Sequence, residues 1–129
     1  MTPELFALVA VSLFALILPL IYLFAYTSDV GVKAMLGNRD GLPERTGIAA
    51  RGTRAHANLI ENLVPYAAVV LAAQAMGVSN DITQVAGIVF LIARLAHAGS
   101  YLAGILMIRT VAYYAGMFAT FAIGIQLLF

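Results

Sequence analysis

Four residues, Arg51, Arg54, Asn58 and Glu61, follow one another at spacings of three, four and three. On a helix turning about 100° per residue they fall within roughly 80° of one another, so two guanidiniums, an amide and a carboxylate share one stripe. Arg94, His97 and Tyr101 repeat the arrangement at spacings of three and four, and Arg109 and Tyr113 lie four apart. Guanidiniums hold carboxylates and stabilise developing anions, a carboxylate holds an ammonium, and imidazole and phenol groups orient hydrogen bonds. The chain contains no cysteine. It therefore supplies no nucleophilic thiol, disulfide or thiolate metal ligand of its own, and any sulfur chemistry has to arrive with a substrate.

Of the 129 residues, 63% are hydrophobic and 10% are charged, against roughly 45–50% and about 25% in soluble domains. Too few charges remain to cover a water-facing surface, so lipid is the expected solvent. A net charge of +1 gives no basic footprint, and no nucleic-acid partner is expected. A bilayer core of about 30 Å takes about 20 helical residues per crossing. Four apolar stretches are long enough: residues 5–26, 51–76, 82–107 and 110–129. The first carries no charge and is preceded by Glu4 instead of the basic residues of a signal peptide, so it reads as a permanent span that Pro19 bends.

Residues 27–50, with Asp29, Lys33, Arg39, Asp40, Pro43, Glu44 and Arg45, read as one polar loop, and residues 77–81 as a short turn. Residues 1–129 are then a single all-α integral membrane domain, a four-transmembrane-helix bundle. Lys33, Arg39, Arg45, Arg51 and Arg54 cluster in or beside the first loop, and Arg109 lies in the third. The positive-inside rule places loop 27–50 and the loop around Arg109 in the cytoplasm, with both termini on the opposite side.

In that layout the second and fourth helices start, and the third ends, at the cytoplasmic face. All three polar stripes then converge on one half of the membrane. Glu61 lies about 10 Å inward of Arg54, where a lone charge costs roughly 2.5–3.5 kcal/mol, so a partner or a wet cavity is expected beside it. Pro65 leaves the Glu61 carbonyl without its helical donor. Each residue also has a plainer reading. Arg51 and Arg54 suit topology anchors, Glu61 with Arg94 a structural ion pair, His97 a core histidine, and Tyr101, Tyr113 and Tyr114 an interfacial belt. Anchors, however, require no acid, amide or imidazole. Ala96, Ser100 and Gly104, and likewise Gly116, Thr120 and Gly124, recur every four residues as small ridges for close helix packing, within a subunit or between subunits.

Several arginines, a carboxylate, an amide and tyrosines suit an elongated zwitterion with more than one carboxylate and one ammonium. Glutathione meets that description and brings the thiol that the chain lacks. Lowering a thiol pKa from about 8.5 by about two units takes about 2.7 kcal/mol of anion stabilisation, within reach of one arginine in a partly dry site.

The run Arg51-Gly-Thr-Arg54-Ala-His-Ala-Asn58-Leu-Ile-Glu61, continuing to Pro65, resembles the second-helix signature of the membrane-associated proteins in eicosanoid and glutathione metabolism, the MAPEG family. Arg94-Leu-Ala-His97 with Tyr101, and Arg109-Thr-Val-Ala-Tyr113, resemble the same family's third and fourth helices. The resemblance covers essentially the whole chain. It implies a homotrimer with glutathione between neighbouring subunits at the cytoplasmic side and an apolar, lipid-soluble second substrate. In a bacterial member the location would be the inner membrane. The activity implied is glutathione transferase or glutathione peroxidase, with no metal and no haem.

Carried over residue by residue, Arg54, Asn58 and Glu61 match glutathione contacts, with Arg51 near the entrance. His97 and Tyr101 match helix-three contacts, and Arg109 matches the arginine that holds the thiolate. Thr110 stands where some members have serine, Tyr113 matches a tyrosine near the sulfur, and Lys33 stands in for a basic residue at the end of helix one. Ala57 departs from members that have a further arginine there, and Tyr114 competes with Tyr113 for its place. Besides a structural or regulatory membrane subunit without chemistry, two other classes remain open on the residues. One is a small transporter using Glu61 as an intramembrane carboxylate; the other is a haem carrier ligated by His56 and His97.

Overall fold

A computed structural model describes all 129 residues. It is entirely helical: α1 (Pro3–Val30), α2 (Val32–Leu36), α3 (Gly47–Met76), α4 (Asp81–Ala103) and α5 (Leu106–Leu128). The four long helices are each long and apolar enough to cross a membrane. α3 and α4 touch each other and both remaining long helices, whereas α1 and α5 do not meet. The section through the bundle is thus a rhombus with α3 and α4 on its short diagonal. Small and medium side chains fill the centre, among them Ala7, Val11, Ala15, Ala55, Leu59, Ala73, Ala86 and Ala119. Phe6, Leu13, Leu16, Leu20 and Phe24 of α1 point outward instead. Lipid tails solvate such side chains as well as a core does, so close packing falls to the small residues.

Local chemistry sets the helix ends. Thr2 caps α1, its hydroxyl accepting from the Leu5 N–H at 3.4 Å, with Pro3 at the first helical position. α4 opens with a capping box in which Asn80 accepts from the Ile82 and Thr83 N–H groups, while the Thr83 hydroxyl accepts from the Asn80 N–H.

Three boundaries differ from the sequence expectation. The polar segment 27–50 is not one loop: α1 continues to Val30, α2 follows, and α3 begins at Gly47. The Thr27 and Ser28 hydroxyls donate to the Leu23 and Phe24 carbonyls one turn back, so these polar residues ride on the helix without breaking it. Nearer α3, the loop is strapped to α1 by the Tyr26 hydroxyl donating to the Pro43 carbonyl and by the Arg45 guanidinium 5.2 Å from the Tyr26 ring centroid. The third span stops at Ala103, not Met107, because Gly104 takes the left-handed conformation (φ 79°) and Ile105 N–H closes onto the Ser100 carbonyl at 2.8 Å. The fourth span accordingly starts at Leu106, and Arg109 lies in its first turn instead of in a loop.

The end of the bundle away from the arginines holds a second polar knot. Glu4 is fully buried. Its Oε1 accepts from Ser79 Oγ at 3.0 Å and Thr83 Oγ1 at 2.5 Å, and its carbonyl accepts from the Tyr66 hydroxyl at 3.0 Å. Tyr66 stacks on Phe90 with ring centroids 3.5 Å apart. Gly87 lies directly beneath: a Cβ there would stand 2.7 Å from the Glu4 Cα and 2.9 Å from its nitrogen, so α1 and α4 touch backbone to backbone.

Candidate functional site

Tyr101 on α4 is the point where three helices meet. The Arg54 guanidinium of α3 lies 5.9 Å from its ring centroid and the Arg109 guanidinium of α5 lies 4.7 Å from it. Both distances fall within the range for attraction between a cation and an aromatic face. The His97 ring, one turn deeper, meets Tyr101 edge-on at 5.6 Å and lies 6.3 Å from the Tyr113 ring. Arg51 Nε donates to the Leu102 carbonyl at 2.9 Å, tying the start of α3 to the last turn of α4. That bond also satisfies one of the carbonyls left free where α4 ends.

Arg109 gains from its place in α5. The first N–H groups of a helix lack partners and carry partial positive charge, so a guanidinium in that turn adds to the field already there. The cation is disfavoured where it stands until an anion arrives. Together Arg109, Arg54 and the free N–H groups form an anion-attracting corner with a phenol at its floor.

Not every residue of the stripes joins this corner. Glu61 is exposed on the outer face of α3, so the expected partner or wet cavity does not lie within the single chain. The Glu61–Arg94 pair does not form. Arg94 points between α4 and α5, where its Nη2 donates to the carbonyls of Ala112 and Tyr113, each at 3.0 Å. The sequence stripe placed Arg94 and Glu61 on facing helices, but Arg94 fits a notch that exists only because residue 116 is glycine. Asn58 engages Asn62, whose Nδ2 donates to the Asn58 carbonyl at 2.8 Å. Thr110 is exposed and returns its hydroxyl to the Leu106 carbonyl at 3.1 Å. Lys33 is exposed on α2. Tyr113 is half-buried and faces His97, whereas Tyr114 is exposed and meets Tyr113 edge-on at 5.4 Å. Tyr113 is therefore the one beside the site within this chain. His56 bonds to the Tyr22 hydroxyl at 3.1 Å through Nδ1, on a face of α3 away from His97, so the two histidines do not form a haem pair.

Of the small ridges, Gly116 and Gly124 pack within the chain, against Arg94 and Val69, whereas Gly104 is a helix terminator. Gly116→Ala is expected to destabilise the bundle by about 2 kcal/mol. A methyl there would fall on the buried guanidinium, and that collision with the loss of two charge-assisted bonds outweighs the gain of about 1 kcal/mol in helix propensity. Thermal unfolding in detergent measures the difference; an unchanged midpoint would mean that Arg94 moves aside freely.

An apolar groove of about 420 Å³ runs along the outer side of α4 and α5, with Ala93, Ala96, Ala112 and Ala115 as its floor and Met107 and Ile108 at one end. The sequence reading missed both this groove and the buried Glu4. Glu4 was legible only as a charge preceding the span, and the groove arises from alanine spacing on two helices at once.

A sequence profile of the MAPEG family matches residues 6–129. The chain belongs to the MAPEG family. No curated protein matches it individually. As a MAPEG protein it is a multi-pass integral membrane protein of the glutathione and eicosanoid metabolism family, which includes glutathione transferases and related enzymes. The polar corner around Tyr101 in this MAPEG protein is thus met in a family associated with glutathione.

Proposed function

We propose that this MAPEG protein is a membrane enzyme that binds glutathione, holds its thiol as thiolate, and delivers that sulfur to an apolar electrophile or a lipid hydroperoxide. The observation that carries the reading is the approach of both Arg54 and Arg109, from two different helices, to the Tyr101 ring at one end of the bundle.

Arg51 and Arg54 bind the peptide carboxylates, with Lys33 as a further cation at the rim, and Glu61 and Asn58 take the ammonium end. His97, Tyr101, Thr110 and Tyr113 line the path of the thiol, and Arg109 faces the sulfur. Arg54 and Glu61 are exposed on the single chain, which supports a homotrimer in which a neighbouring subunit closes the site. In the cell the arginine-rich end faces the cytoplasm, where glutathione is abundant, and a bacterial protein of this kind resides in the inner membrane.

In the reaction the thiol proton leaves to water and the negative charge on sulfur is balanced by Arg109. In conjugation the sulfur lone pair forms a C–S bond as the electrophile's leaving group departs with its bonding pair. In peroxide reduction the sulfur attacks the O–O bond, giving an alcohol and a sulfenic acid that a second glutathione converts to disulfide and water. The groove ending at Met107 and Ile108, in the same helical turn as Arg109, supports delivery of an apolar second substrate from lipid.

The test is calorimetric titration of glutathione into detergent-solubilised protein with the ultraviolet absorbance of thiolate followed in parallel. Saturable binding with a thiolate signal is the expected result. Binding without thiolate removes Arg109 from its role. Absence of binding overturns the reading and moves Glu61-dependent cation uptake in liposomes to the front.

A further inference from the structure

Arg94 is the largest side chain in the protein that is completely buried. Its Nη2 is bonded to two α5 carbonyls, but Nε and Nη1 are closed off from solvent and have no hydrogen-bond partner. Its charge is also unopposed within the chain. Of the six carboxylates in the chain, Glu4 is engaged with Ser79 and Thr83, and Asp29, Asp40, Glu44, Glu61 and Asp81 are all exposed. Packing against Arg94 leaves no room for a counter-ion, since even a methyl on Gly116 would collide with the guanidinium. What offsets the burial is soft: two carbonyl oxygens, the Phe90 ring at 5.6 Å and the Tyr113 ring at 5.9 Å.

A lone cation inside a bilayer-embedded bundle is costly, and such residues face functional interiors as a rule. The surroundings of Arg94 show where its field goes. The Tyr113 ring lies 5.9 Å from the Arg94 guanidinium and 6.3 Å from the His97 ring, and Arg109 is one turn before Tyr113 on α5. The guanidinium therefore sits one to two helical turns, about 5–11 Å, deeper than the corner built by Arg54, Tyr101 and Arg109.

We infer that Arg94 is a fixed buried charge that holds the sulfur of bound glutathione in its anionic form from a distance, without touching it. The inference rests on the functional reading above and adds a second cation to it. Arg109 is half-exposed and is shielded by solvent; Arg94 is dry and is not screened. A unit charge about 10 Å away at an effective dielectric constant of about 20 changes an ionisation equilibrium by roughly tenfold. The groups facing this region are His97 and Tyr101 from α4, Tyr113 and Arg109 from α5, and Arg54 from α3; Glu61 points outward on α3, so no acid of the chain is placed to cancel Arg94. Arg94 also keeps Tyr113 in place, so it is a positioning residue as well as a source of field.

The experiment compares Arg94→Met and Arg94→Lys with wild type in three measurements: the pH midpoint of the bound thiolate absorbance, the affinity for S-methyl glutathione, and the melting temperature in detergent. Arg94→Met is expected to reduce thiolate about tenfold at a given pH while S-methyl glutathione binds unchanged, and Arg94→Lys to keep most of the thiolate. Should the methionine variant not fold, Arg94→Gln keeps a donor for the α5 carbonyls, removes the charge and gives the same readout. A midpoint unmoved by removal of the charge overturns the inference alone. So does an equal rise in Met and Lys variants that follows the melting temperature, since that pattern is structural. Absence of thiolate in wild type would overturn the functional reading itself.

Discussion

Arg109→Ala is expected to lower single-turnover rates by about 10²–10³ while changing glutathione affinity only a few-fold, the loss typical of removing one donor from a site of developing negative charge. The reason lies in its address. Arg109 occupies the first turn of α5, 4.7 Å from the Tyr101 ring, beyond the residues that would hold the peptide's carboxylates. It sits against the positive end of the helix dipole, so its removal costs the fold little. The variant should melt no lower than wild type, which separates lost chemistry from lost structure. Lysine at the same position restores the charge but not the planar fork, so partial recovery is expected. Rates equal to wild type in the alanine variant would move the thiolate to another group.

Gly87→Ala is expected to cost about 3 kcal/mol of stability. Alanine is the better helix former by about 1 kcal/mol, which alone would favour the change. Against that, the new Cβ would stand 2.7 Å from a backbone atom of Glu4, and a backbone cannot swing aside as a side chain does. α1 would have to withdraw, loosening the bonds that Glu4 makes with Ser79 and Thr83 and the one its carbonyl accepts from Tyr66. The midpoint of thermal unfolding in detergent should fall clearly, and further than for Gly116→Ala, where the obstacle is the end of a side chain. A stabilised variant would show that the helix contact at Glu4 is slack.

The four spans and their polar stripes were legible because lipid removes ambiguity. A run of some twenty apolar residues has one viable form in a bilayer, and spacings of three and four then fix which side chains share a face. Arg54, Tyr101 and Arg109 can be grouped on that basis from the sequence alone. What was not legible depends on neighbours. Gly104 ends α4 through a left-handed turn, but Ile105, Leu106 and Met107 continue the apolar run, so hydropathy gave no sign of the break. The spacing that joined Arg94 to His97 and Tyr101 hid the notch at Gly116, because a glycine one helix away leaves no trace in the stripe. Glu61 read as buried because its span is; its outward orientation on α3 is a property of the bundle, not of the helix.

The Gly104–Ile105 turn has a bearing on how the protein is made. It joins α4 to α5 through two residues only, and both hydrogen bonds of the Arg94 side chain go to the helix on the far side of it. If α4 crossed into the bilayer alone, its arginine would face hydrocarbon at a cost of about 2.5–3.5 kcal/mol. Released together with α5, it arrives with two carbonyls and an aromatic face already supplied. The turn is short enough that its closure entropy is small. The pair therefore behaves as one unit of membrane insertion, and lengthening the turn with a flexible linker would delay integration of α4 in particular, while α1, which carries no charge from Leu5 to Ser28, would go in as before.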